Sequence, residues 1–67
     1  MPFYRVIFVN NTIMSCEEDD AVQLKGKDLH YVQDKGKLIF AYIKADTLVA
    51  AAKRAADLVA EVTKPNK

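Results

Sequence analysis

"LIFAYIK", residues 38–44, decides the fold. The run is too short for a typical helix, and strand side chains alternate, so Leu38, Phe40 and Tyr42 are expected on one side and Ile39, Ala41 and Ile43 on the other. Both sets are apolar. An antiparallel sheet with one solvated face alternates apolar with polar residues, and this stretch does not. Both of its faces therefore need cover.

Working outward, "FYRVIFV" (3–9) is rich in aromatic and β-branched residues, which fit a pleated surface, and it too is apolar on both sides: Tyr4, Val6 and Phe8 against Phe3, Ile7 and Val9. Asn10 and Asn11 tolerate the positive φ angles of a two-residue hairpin turn, which leads into a strand over 12–16. That turn predicts Val9 opposite Thr12, Phe8 opposite Ile13, Ile7 opposite Met14 and Arg5 opposite Cys16. It sorts Ile7, Val9 and Met14 onto one face and Val6, Phe8 and Ile13 onto the other.

"EEDD" (17–20) reads as an acidic loop entering a strand over 21–25. A short helix over 16–25 competes, because Ser15 and Glu18 have capping-box spacing, but Ala21, Val22 and Leu24 give it only a thin apolar stripe. "GKD" (26–28) turns the chain into a strand over 29–33. "DKGK" (34–37) turns it again into 37–44, with Gly36 as the left-handed residue after a type I turn.

The rest, "ADTLVAAAKRAADLVAEVTKP", predicts an amphipathic helix over 46–63, with Asp46 as N-cap and Pro65 as the stop. Leu48, Ala52, Ala55, Val59 and Val62, with Ala51 and Leu58 beside them, form the apolar stripe. Lys53, Arg54, Asp57 and Glu61 fall opposite, with Lys53 and Asp57 spaced to pair. The expected fold is α+β: an antiparallel meander of four to five strands with one C-terminal helix packed on one face.

At 67 residues the chain is a single domain near the size where one core barely offsets chain entropy. Disulfides, a metal or oligomerisation usually help such domains. A lone Cys16 and a lone His30 argue against the first two, so no metal or cofactor is expected. The net charge of +1 nominates neither nucleic acid nor membrane. It is distributed unevenly: residues 1–20 hold one positive against four negative charges (−3), and 21–67 hold nine against five (+4). No apolar run approaches the roughly 20 residues that span a bilayer, and the N-terminus does not read as a secretory signal, so a cytoplasmic location is expected.

No cluster commits the chain to a reaction. A Cys16–His30 pair could meet only in space. Glu17 to Asp20 lack the alternation and glycine of a calcium loop, and no glycine-rich phosphate loop exists. The expected function is non-enzymatic binding, to a second copy or another protein, because one helix cannot cover two apolar sheet faces. Tyr4, Phe8, Phe40 and Tyr42 are the candidate surface if the strands that carry them pair. The alternative is a nucleic-acid-binding module in which Lys25, Lys27, Lys35, Lys37 and Lys44 contact phosphates while aromatics stack on bases. Near-zero net charge and only two arginines weigh against it.

Overall fold

The computed structural model describes residues 2–21 and 24–63. Four antiparallel strands, β1 (Phe3–Val9), β2 (Thr12–Glu18), β3 (Leu29–Asp34) and β4 (Lys37–Lys44), form one sheet, followed by a helix, α1 (Leu48–Thr63). The class is α+β. The sheet order is β2-β1-β4-β3, so the strands do not follow one another as in a meander. Two hairpins are joined through their first and last strands. The cause lies in composition: β1 and β4 are apolar on both sides and take the two central places, while the more polar β2 and β3 become edges.

That order also bears on the strand expected over 21–25. Residues 19–28 connect opposite edges, which lie about 14 Å apart at ordinary strand spacing. Ala21 lies in a turn, Leu24 is irregular and Lys25–Gly26 form a turn, so none of these residues is in a strand. Val22 and Gln23 lie outside the described residues. Nor do the remaining residues of 16–25 make a helix, since Cys16, Glu17 and Glu18 belong to β2. Asp19 anchors the exit from β2. Its N–H donates to the Phe3 carbonyl (2.8 Å), and its Oδ1 accepts the Ala21 N–H (3.0 Å).

Both hairpin turns have two residues with positive φ, Asn10 and Asn11 (52° and 60°) and Lys35 and Gly36 (53° and 78°). The first is the turn the asparagines predict. The second pairs Asp34 with Lys37 directly, so Lys35 as well as Gly36 is left-handed, in place of a type I turn.

Two bulges reset the faces. β2 carries one extra residue where Ile7 opposes Ser15 and Phe8 opposes Ile13, so the expected pairs Ile7–Met14 and Arg5–Cys16 are replaced by Ile7–Ser15 and Arg5–Glu17. β4 carries another where Val32 opposes Phe40 and Gln33 opposes Leu38. Leu38 therefore shares a side with Ala41 and Ile43, and Phe40 and Tyr42 fall on the other.

Val6, Phe8, Leu38, Ala41 and Ile43 form a buried cluster with Ala55 and Leu58 of α1, and Ile13, Cys16, Leu29, Val59 and Val62 pack against it. Ala51 meets Tyr4 and Ala45 in a second cluster. Buried apolar helix positions at 51, 55 and 58 allow close approach to the strands, while Leu48, expected in the stripe, is half exposed. α1 lies against β4, β2 and β1. The N-cap is Thr47, not Asp46: its Oγ1 accepts the Ala50 N–H (3.1 Å) and its carbonyl accepts the Ala51 N–H (3.0 Å). Lys53 and Asp57 do not pair, and Pro65 lies outside the described residues.

Candidate functional site

The side of the sheet turned away from the helix cluster can be read in rows from the register. One row runs Glu17, Arg5, Tyr42, His30 across β2, β1, β4 and β3, and the next runs Ser15, Ile7, Phe40, Val32. Phe3 and Lys44 face each other at one end. Ile7, Val32, Phe40 and Tyr42 are half-buried by their neighbours in the sheet, and the Phe40 and Tyr42 rings lie 5.5 Å apart, tilted by 59°. That is a favourable edge-to-face arrangement. Exposed Val9, Met14 and Ile39 extend apolar surface near the hairpin turns, the last two being the residues inserted at the bulges.

Arg5 is the one charge in the middle of this face, and it is compensated. Its guanidinium donates to Asp19 Oδ2 (3.2 Å) and pairs with Glu17 Oε2 (3.5 Å). The surface is thus an apolar centre with a polar border in which one cation meets two carboxylates, a single negative charge in excess.

The candidate aromatic quartet is divided. β1 and β4 do pair, but Tyr4 and Phe8 are buried in the clusters shared with the helix, at 6% and 4% exposure, and only Phe40 and Tyr42 lie on the opposite side. Ile7 and Val32 take the other places beside them. Sequence reasoning placed Ile7 off the Phe40 face and gave Val32 no role, because the registers that set both opposite Phe40 cannot be read from any one strand alone.

Burial, helped by the nearby Glu18, Cys16 and Asp46, pushes the Tyr4 phenol above its ordinary value, which keeps it neutral. Burial likewise raises the Cys16 thiol, opposite to the change that activates a nucleophile. Cys16 sits on one edge strand and packs against the helix clusters, whereas His30 is exposed on the other edge and the other face. The two do not form a pair.

Among the described residues, no three His, Cys, Asp or Glu side chains assemble in a way that could hold a metal. Glu18 hydrogen-bonds Asp20, and that bond, with the Asp20 charge and partial desolvation, raises the Glu18 carboxyl above its usual range. The five lysines stand at the two ends of the sheet. Lys35 and Lys37 flank the β3–β4 turn, while Lys25, Lys27 and Lys44 lie near the far end, where the Lys44 N–H donates to the Asp28 carbonyl (2.9 Å). At strand rise these ends are separated by about 23 Å. A shallow cavity of about 370 Å³ beside the start of α1 is bordered by Asp28, Lys44, Asp46 and Arg54. Its charges of both signs balance, and no nucleophile lines it.

No helix among the described residues is long and apolar enough to cross a membrane. Compared with protein-family models, curated proteins and solved structures, the chain finds no match.

Proposed function

We propose that this chain is a non-enzymatic binding protein that associates with a second copy of itself through the sheet face opposite the helix. In this reading α1 is the cover of one face, and the centre built from Ile7, Val32, Phe40 and Tyr42 is covered only on assembly. The observation that carries the proposal is the Phe40–Tyr42 pair, set beside Ile7 and Val32 by the ladders on both sides of β4. A second copy fits because the one cation in the middle of the face is paired and the whole chain is near neutrality, so two copies meet without strong repulsion.

Area sets the strength. Four strands at about 4.8 Å spacing and about 3.3 Å rise present roughly 450 Å² in outline. A standard stable interface takes about 800 Å² per partner. Association through one face alone is therefore weak and reversible.

Sedimentation equilibrium across micromolar to millimolar concentrations tests this. The wild-type chain is expected to dimerise or assemble further, and Phe40→Asp, with an unchanged far-ultraviolet spectrum, is expected to weaken association at least tenfold. A wild-type chain that stays monomeric at millimolar concentration overturns the proposal.

A further inference from the structure

The two edges of the sheet are not equally protected. β2 carries a bulge, ends in Glu17 and Glu18, and lies under α1. Bulges, charges and covering helices are the means by which edges avoid pairing with other strands. β3 has little of this. It contains no proline, no lysine and no inserted residue of its own, its one charged residue is Asp34, and α1 lies over the other three strands instead.

Its outward hydrogen-bonding groups, unpaired among the described residues, can be assigned. The Lys44 N–H donates to the Asp28 carbonyl, which marks Asp28 and Lys44 as a bonded pair. Bonded and non-bonded pairs alternate along an antiparallel ladder, so His30 and Val32 also turn their backbone groups toward β4. The N–H and carbonyl groups of Leu29, Tyr31 and Gln33 point off the sheet.

We propose that two copies pair β3 to β3 in antiparallel fashion about a two-fold axis at Val32, making one eight-stranded sheet. Three observations select this occupant and register. Centring on Val32 sets His30 opposite the partner's Asp34, twice by symmetry, so that an imidazole N–H can donate to a carboxylate. Centring on Tyr31 would instead oppose Asp34 with the partner's Asp28. The chosen register also places Tyr31 opposite the partner's Gln33, and since both residues line a groove of about 320 Å³ with Leu29, Leu58, Glu61 and Val62, the two copies' grooves adjoin across the seam. Finally, Val32 against the partner's Val32 makes the two apolar faces continuous. The joined face approaches 900 Å² in outline, so two such pairs meeting face to face cover the roughly 800 Å² per partner that a single copy does not reach.

The edge pairing rests on β3 alone, and it deepens the self-association proposed above by supplying the missing area. The two are separated by testing the edge in a Phe40→Asp background, where face association is lost. Val32 and its symmetry mate form a non-hydrogen-bonded pair, with Cα atoms about 4.5 Å apart, close enough for a disulfide. In a Cys16→Ser, Phe40→Asp chain, Val32→Cys is expected to give a covalent dimer under mild oxidation. Tyr31→Cys is expected to give at least tenfold less, since its two copies stand beyond disulfide reach in this register. Adding Gln33→Pro, which removes an outward donor without touching the β3–β4 ladder, is expected to slow the Val32→Cys cross-link at least tenfold.

No cross-link at Val32→Cys, or a cross-link at Tyr31→Cys in its place, overturns the proposed pairing. Assembly of the wild-type chain that Phe40→Asp abolishes while Val32→Cys never cross-links leaves the face and removes the edge. As a check independent of substitution, the wild-type Tyr31 and Gln33 amides are expected to exchange with solvent at least tenfold more slowly as concentration rises. Exchange that does not change across a concentration range where the chain assembles overturns the pairing.

Discussion

The Asn11 side chain accepts the backbone N–H of Leu38 through Oδ1 at 2.8 Å, and its Nδ2 donates to the Gly36 carbonyl at 3.3 Å. One residue of the first hairpin turn thereby ties down the second, at the point where the β1–β4 ladder has ended and the β4 bulge begins. Asn11 also holds a left-handed backbone, φ 60°. These two roles separate by substitution. Asn11→Gly keeps the backbone and loses the bonds, leaving a partly buried N–H without its partner, at a cost of about 1–2 kcal/mol. Asn11→Ala adds roughly another 1 kcal/mol for the backbone. Thermal melts are expected to rank wild type above Asn11→Gly above Asn11→Ala.

Lys35 adopts φ 53° in a tight turn whose other member is Gly36. Asparagine before glycine suits that turn better than lysine does. Lys35→Asn is expected to raise stability by about 0.5–1 kcal/mol, read as a melting temperature a few degrees higher. An unchanged or lower value would contradict the turn geometry.

Glu18 has a carboxyl raised above its ordinary value of 4.5 by the hydrogen bond its protonated form donates to Asp20 and by the Asp20 charge. A carboxyl with a raised folded-state value favours the fold while protonated, below its ordinary value, and that contribution is lost as pH rises through the folded-state value. At neutral pH the ionised pair therefore opposes folding. Glu18→Gln is expected to melt higher than wild type at pH 7, with the gap closing as the pH falls below about 4. A gap independent of pH would rule out this cause.

Ala55 is fully buried between α1 and the strands, whereas its neighbour Ala56 is exposed. Ala55→Leu forces the helix away from Val6 and Ala41 and is expected to cost about 1–3 kcal/mol. Ala56→Leu is expected to stay within about 0.5 kcal/mol of wild type in denaturant titrations. Equal effects would mean that the helix meets the sheet along another stripe.

Much of this architecture was legible in local chemistry. β1 and β4 fall where aromatic and β-branched runs place them, and the two asparagines make the turn their φ tolerance predicts. The helix runs to Thr63 but begins at Leu48, because Thr47 captures the Ala50 N–H before Asp46 can act. Strand order was not legible locally. It follows from a global comparison, in which the two strands that are apolar on both sides take the centre. The candidate surface was half legible for a related reason: Phe40 and Tyr42 were nominated with Tyr4 and Phe8, and the β1–β4 register, which sets Phe40 opposite Ile7 and Tyr42 opposite Arg5, parts them.

The bulge at Ile39 acts as a reading-frame element for the molecule's inside and outside. Leu38 and Phe40, two apart in number, face opposite ways because of that single inserted position. Losing that codon would leave Leu38 and Phe40 adjacent in a regular ladder with both faces kept, whereas any substitution at Ile39 keeps the offset, which is a matter of residue number and not of side-chain chemistry.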